Sequence, residues 1–371
     1  MVPAVMKLLA FLLSFSLAAA TEVKLESVPE HGVQPQVAVT ADGAVHLVYL
    51  TGEAGGADGR YSHRGANDTA WSAPITVNST PHSAVAMGTI RGAQLAIGKS
   101  GSVQVVWNGA AEKGKYATAP LCYTRVENGV PAPQRTLNTS TINLDGGASI
   151  AADGKGGVFV VWHASPPEGK SEADRRIYLC RSQDDGASFT AAAPAKGAPP
   201  GVCPCCSLKT LAGADGVLRV LYRNASAKSQ RDMTLLESRD SAMTFTAKPV
   251  HPWPIAACPM SNAALLSSGK TARAAWETDG TVFTATLTEN LEPLALSAGQ
   301  ARHPALAINS RGETLITWSI GTGWQRGGEL GWVLLDAAGK PTATRGTAPG
   351  VPVWGHTAAF ANAAGDFILL H

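Results

Sequence analysis

Charge is scarce in this chain: Asp, Glu, Lys and Arg make up 16% of its 371 residues, against about 25% in ordinary soluble proteins. The two signs nearly cancel, Lys+Arg 30 against Asp+Glu 28 for a net +2, so the basic surplus that binds a phosphate backbone is missing and no nucleic-acid partner is expected. Aromatic residues are few at 6%. Beyond residue 20 no apolar run approaches the roughly 20 residues of a membrane-spanning helix, so membrane insertion is not expected either. The paired CxxC spacing of zinc modules is also lacking. Present instead are Gly 39 and Pro 23, with 45% hydrophobic residues spread in short runs. That composition excludes disorder and long solvated helices and implies an all-β chain of short strands and tight turns.

At the start, Lys7 precedes an apolar stretch from Leu8 to about Leu17, followed by Ala18, Ala19 and Ala20. This is the pattern of a cleaved signal peptide over residues 1–20, so the mature chain is expected to be secreted or periplasmic, without a membrane anchor and as a monomer. The six cysteines, Cys122, Cys180, Cys203, Cys205, Cys206 and Cys258, then meet an oxidising compartment where disulfides are the default.

One unit recurs seven times: an apolar strand, a turn closed by glycine, and an alternating strand that usually ends in Tyr or Trp. Its turn glycines, Gly43, Gly101, Gly157, Gly216, Gly269, Gly312 and Gly365, lie 58, 56, 59, 53, 43 and 53 residues apart. Such spacing leaves room for two more strands per unit, which is the period of a four-stranded propeller blade. Seven blades are expected over six, the last closed by the N-terminal strand near Glu22 to Ser27.

Between repeats three and four, Ser182, Asp184, Gly186 and Phe189 follow one strand and open another. This run resembles the Asp-box (BNR) repeat of sialidase-like β-propellers. A worn copy follows at Ser238, Asp240 and Phe245, with Ala242 where glycine is expected. The resemblance implies a single sialidase-like propeller over residues 21–371, with the box a structural turn away from the ligand face. Family sialidases hold a carboxylate with three arginines, the first in an Arg-Ile-Pro motif, and use a late tyrosine nucleophile activated by Glu, with an Asp acid/base. Here that motif is absent and the last tyrosine is Tyr222, so the fold carries over and the catalytic residues do not. An enzyme of this kind would be a glycoside hydrolase of sialidase-like type.

In such a blade the segments before the first strand and after the second emerge on one face. After the second strand the repeats place Asn108, His163, Arg223 and Glu277; before the first they place Arg91, Asp145, the Cys203–Cys206 cluster, Cys258, His303 and His356. Arg223, Glu277, Arg231 and Asp232 are candidates for catalysis. Arg91, Asn108, Asp145, His163, Arg302 and Trp324 are candidates for ligand binding, with Trp354 as a second stacking ring. The expected ligand is a carbohydrate or small anion, arginines holding charge and tryptophans stacking on sugar. For the cysteines two readings stay open. One is disulfides, Cys258 to a cysteine of the cluster and Cys122 to Cys180. The other is copper or zinc held by Cys205, Cys206 and Cys258 with a histidine such as His303 or His356. A non-catalytic interaction platform is the remaining alternative.

Overall fold

A computed structural model describes residues 21–227, 229–269 and 271–371; the expected signal peptide lies outside the described residues. The chain is a ring of seven sheets. Blade 1 takes Val33–Val39, Val45–Glu53, Gly56–Arg64 and Ile75–Thr76, and blade 2 takes Gln94–Ile97, Val103–Asn108, Leu121–Glu127 and Arg135–Thr136, with Val130–Pro131 beside its third strand. Blade 3 runs through Ser149–Ala152, Val158–Ala164, Arg176–Ser182 and Ala193–Pro194; blade 4 through Lys209–Ala212, Leu218–Arg223, Met233–Ser238 and Thr246–His251. Blade 5 comprises Ala263–Ser268, Thr271–Thr278, Thr281–Thr286 and Leu294–Ala295; blade 6 comprises Ala301–Ile308, Thr314–Ile320, Gly328–Leu335 and Pro341–Val351.

Blade 7 has three strands, Ala358–Ala361, Phe367–Leu370 and, from the other end of the chain, Val23–Glu26. The last joins Phe367–Leu370 in parallel, Val23 opposite Phe367 and Glu26 opposite Leu370. Trp71 of blade 1 secures this closure, donating its Nε1–H to the Glu26 carboxylate at 2.6 Å. The N-terminal strand thus completes the seventh blade as its position in the sequence implies.

The hairpin between first and second strands turns on a left-handed glycine in six repeats: Gly43, Gly101, Gly216, Gly269, Gly312 and Gly365 have φ between +61 and +84°. In the third the role falls to Gly156 at φ +111°, one residue earlier than the expected Gly157, with Gly154 also left-handed at +69°.

A sheet with side chains on both faces buries itself by stacking on neighbours, so the apolar core is divided into layers between blades. One layer lies at each of the seven junctions. The second-strand aromatics Tyr49, Trp107, Trp162, Tyr222, Trp276 and Trp318 are all buried and face the preceding blade. Since neighbouring side chains alternate faces, the residue after each aromatic leans toward the following blade.

Two turns have the hydrogen bonding that the sequence suggested. Ser182 Oγ donates to Asp184 at 2.7 Å and accepts from Gly186 N–H at 2.8 Å, while Asp184 takes Ser188 N–H at 2.8 Å. Ser238, Asp240, Ala242 and Thr244 repeat the pattern. Phe189 meets Tyr123 edge-on at 4.9 Å, and Phe245 is buried between blades 3 and 4.

Candidate functional site

The seven first strands enclose a central channel of about 530 Å³. Its mouth on one face is formed by the segments leading into these strands. Isolated bridges Ala84–Gly109, Ile142–Ser165 and Val202–Asn224 tie those lead-ins to the ends of the second strands, so the two sets of segments do share a face.

Most polar residues expected to face a ligand there are instead latches between blades. Asn108 donates to the Gly146 carbonyl at 3.1 Å, in the lead-in of the next blade. His163 does the same one blade on: its Nε2 bonds the Cys206 carbonyl at 2.8 Å, and its Nδ1 takes a 2.9 Å bond from Arg175. Burial first, and Arg175 second, push His163 down to about 3, so it is a neutral strut. Arg223, buried under Trp253 with its guanidinium 4.9 Å from the ring centre, donates to the carbonyls of Arg231 at 2.7 Å and Glu277. The Glu277 carboxylate is buried, accepts the Gly280 N–H at 2.7 Å and lies 3.9 Å from Arg223.

Arg231 binds Glu172 through both carboxylate oxygens, at 2.9 and 3.2 Å, and the Ala257 carbonyl at 2.9 Å. Asp232 accepts the Trp253 N–H at 2.7 Å and also bonds Gln230. Arg91 pairs with Asp145 and holds its carbonyl at 2.8 Å. Arg223 and Arg231 therefore form no open clamp for a carboxylate. The terminal nitrogens of Arg223 are taken by carbonyls and those of Arg231 by a carbonyl and Glu172, while the buried Arg223 Nε has no hydrogen-bond partner.

Three features remain at the mouth. The first is Lys209, which opens the first strand of blade 4 and lines the channel with Gln94, Ser207, Asn262 and His356. Its Nζ donates to Gln94 Oε1 of blade 2 at 2.8 Å. Burial pushes its amine down to about 8, and among the described residues it has no carboxylate partner. Sequence reasoning missed Lys209; its signal was a lysine placed in an otherwise apolar first strand.

The second feature is aromatic. Trp324, 58% exposed, meets Trp354 edge-on with ring centres 4.8 Å apart. The two rings come from the blade 6 hairpin loop and the blade 7 lead-in. His303 and His356, of blade 6 and the blade 7 lead-in, also pair, ring centres 6.3 Å apart. Burial carries His303 well below its ordinary value and His356 to about 4, the latter opposed by its bond to the Thr357 carbonyl and reinforced by Lys209. Arg302 lies half-buried beside His303.

The third is sulfur. Cys205 is bonded to Cys258, so the lead-ins of blades 4 and 5 are joined as the disulfide reading allowed. Cys203 Sγ lies 3.5 Å from Cys205 Sγ and donates to Cys206 Sγ at 3.6 Å. The hydrogen bond to Cys206, with burial, holds the Cys203 thiol above its usual range. Burial also pushes Cys206 up, but the bond from Cys203 and the positive charge of Arg223 outweigh it and leave Cys206 below the usual thiol range. The expected Cys122–Cys180 bridge is absent and both are buried thiols. Cys122 packs in the layer between blades 1 and 2 and Cys180 in that between blades 2 and 3, so the blade 2 sheet stands between them. The expected imidazole is also missing from the cluster: both nitrogens of His163 are occupied, and His303 and His356 belong to blades 6 and 7.

No protein-family model matches the chain, and no curated protein matches it. Solved structures do. An α-L-arabinanase from Penicillium chrysogenum, complexed with arabinobiose, aligns over 86% of this chain and 99% of its own at TM-score 0.57 and 10% identity. A protein of unknown function from Dyadobacter fermentans aligns over 85% and 97% at TM-score 0.56 and 14% identity. The Trypanosoma rangeli sialidase, in complex with the inhibitor DANA, aligns over 79% and 53% at TM-score 0.54 and 11% identity. The likeness is one of fold. It agrees with the propeller architecture and leaves activity to the residues of the mouth.

Proposed function

We propose that this protein is an exported propeller that binds an anionic saccharide at the channel mouth, without the covalent hydrolysis of sialidases. The observation that carries the reading is Lys209. A partly desolvated ammonium without a carboxylate partner is an unneutralised charge held in a place where charge is costly. A ligand carboxylate entering from the mouth would supply the missing partner. The Trp324–Trp354 pair offers apolar ring faces at the rim, the surface on which a pyranose stacks. Solved propellers of this fold include a sialidase and an arabinanase seen with arabinobiose, which supports a saccharide over other anions. Hydrolysis is not part of the reading, because Asp232 is committed to internal bonds, Glu277 is buried and paired toward Arg223, and no tyrosine follows Tyr222. The leader-like residues 1–20 support export.

The test is calorimetric titration with uronic-acid oligomers and sialosides, alongside their neutral counterparts. Binding of the acidic sugars is expected, at least tenfold weaker in Lys209→Met and in Trp324→Ala, and weakening above about pH 8 as Lys209 loses its proton. Absence of binding to every acidic sugar, or affinity indifferent to Lys209→Met, overturns the reading.

A further inference from the structure

The four sulfurs between blades 4 and 5 are not needed to hold the ring, whose other six junctions are closed by apolar layers and latches alone. Three of them, Cys203, Cys205 and Cys206, come from one four-residue turn and lie within 4.8 Å of one another. Cys258 adds the fourth through its bond to Cys205. Sulfurs that share a metal ion at about 2.3 Å stand roughly 3.8 to 4.0 Å apart. The 3.5 and 3.6 Å separations from Cys203 are therefore a few tenths of an ångström from a common coordination sphere.

Both lead-ins are held in place independently of the sulfurs. The Cys206 carbonyl is fixed by His163, the Cys203 N–H bonds the Arg223 carbonyl at 3.0 Å, the Ala257 carbonyl is held by Arg231, and Ser207 N–H reaches Ser261 at 3.2 Å. Such outer bonds are what orient ligands around an ion before it arrives. We propose that, in the reduced protein, Cys203, Cys205, Cys206 and Cys258 form a binding site for one copper(I) ion.

The donor set selects the ion. Its bonding groups are sulfur: both nitrogens of His163 are occupied, Glu172 is held by Arg231, and Glu277 is tied through Oε1 to Gly280 N–H, with its buried Oε2 turned to Arg223 at 3.9 Å. Met260, two residues beyond Cys258, packs against the cluster and adds a thioether. A set led by thiolates and a thioether, without imidazole, favours monovalent copper over harder divalent ions. The buried guanidiniums of Arg223 and Arg231 act on Cys206 and Cys203 respectively and offset the negative charge of several thiolates around a singly charged ion.

The Cys205–Cys258 bond makes the site conditional. A dithiol reductant supplies two electrons and two protons, becoming a disulfide itself, and releases Cys205 and Cys258 as thiols. Copper(I) then binds the sulfurs as thiolates, and their protons go to solvent.

The test uses the purified full chain, reduced with a dithiol, desalted without oxygen and titrated with copper(I) against a chromophoric copper(I) chelator. One equivalent is expected to bind, with ultraviolet sulfur-to-copper absorption, at least 100-fold more weakly in Cys203→Ser/Cys206→Ser. Cys122→Ser, altered in a different layer, is expected to bind as the parent does, and unreduced protein at least tenfold more weakly. A thermal melt confirms that the double variant keeps its fold; if it does not, Met260→Leu replaces it, with weaker copper binding again expected. No uptake after reduction, equal uptake by the cluster variant, or zinc bound in preference to copper(I) overturns the proposal. Saccharide titrations of the same samples read the other site separately.

Discussion

Replacing Lys209 by methionine tests whether the mouth holds a charge that the fold would be more stable without. The amine moves from its ordinary 10.5 to about 8 through burial. A shift of that size, at about 1.4 kcal/mol per pKa unit, bounds the penalty for keeping the ammonium in the folded ring at about 3 kcal/mol. Lys209 is only half-buried by its own surface and its amine opens on the channel, so water screens part of that penalty and about 1–2 kcal/mol is expected. The sign follows from proton counts. Between pH 8 and 10.5 the unfolded chain retains a proton that the folded chain has lost, so stability rises with pH across that window, and the full penalty is present below pH 8.

Methionine fills nearly the same volume without charge, and the Gln94 amide keeps its bonds to the Gly92 and Ala93 carbonyls. Lys209→Met should therefore be more stable than the parent by about 1–2 kcal/mol at pH 7, the gain fading as pH approaches 10.5, where both side chains are neutral. Guanidinium unfolding followed by the fluorescence of the nine tryptophans, run on both proteins at pH 7, 8.5 and 10.5, reads the difference directly. A variant no more stable than the parent at pH 7, or a gain that stays constant to pH 10.5, would refute the desolvated-cation argument and with it the main support for an anion site.

Three other changes probe the frame. Gly186→Ala puts a methyl at φ +82° into the Tyr123 hydroxyl and the Gln104 side-chain oxygen; left-handed strain of about 1–2 kcal/mol plus broken buried hydrogen bonds predicts a loss of about 3 kcal/mol in chemical unfolding. Removing residues 21–26 strips the closing strand from Phe367–Leu370 and the Glu26 partner from Trp71, so a melting point lower by several degrees and self-association on size exclusion are expected, whereas a monomer melting as before would show that blade 7 closes without it. His356 is depressed to about 4, so its contribution is complete above pH 6.5 and is lost as pH falls toward 4; His356→Gln should remove up to roughly 3 kcal/mol of that acid sensitivity, and an unchanged acid limb would contradict it.

The frame was legible because it is written in local chemistry. Glycine turns and terminal aromatics recur with the blade, and the short N-terminal strand had only one open edge to join. The third turn was displaced by one residue because Gly154, Gly156 and Gly157 stand together and only φ distinguishes them. The Cys122–Cys180 pairing failed for a reason alternation contains. Cys122 pairs with Trp107, and Cys180 pairs with Val160, two residues from Trp162; both therefore face the preceding blade, with a sheet between them. The site was legible in position and not in role. That Asn108, His163 and Arg223 reach the face follows from spacing, but that each spends its polar atoms on the adjacent blade depends on distances no single sequence contains.

Those distances also separate what the fold needs from what it does not. Asn108, His163, Arg223, Arg231, Glu277 and Asp145 each hold at least one internal partner, and changing any of them breaks a latch whether or not a ligand exists. Lys209 has no opposing charge among the described residues, and Trp324 leaves most of its ring in water. Cys203 and Cys206 remain thiols beside a disulfide. None of these is explained by closing the ring, and Lys209 lies three residues beyond Cys206, at the start of the strand that this lead-in feeds. A shift of that lead-in on copper binding would move Lys209 with it, so copper-loaded and copper-free protein should differ in affinity for an acidic sugar. Linkage requires the same factor in reverse: saturating sugar should change copper(I) affinity equally. Equal affinities in both titrations would show two independent sites on one face.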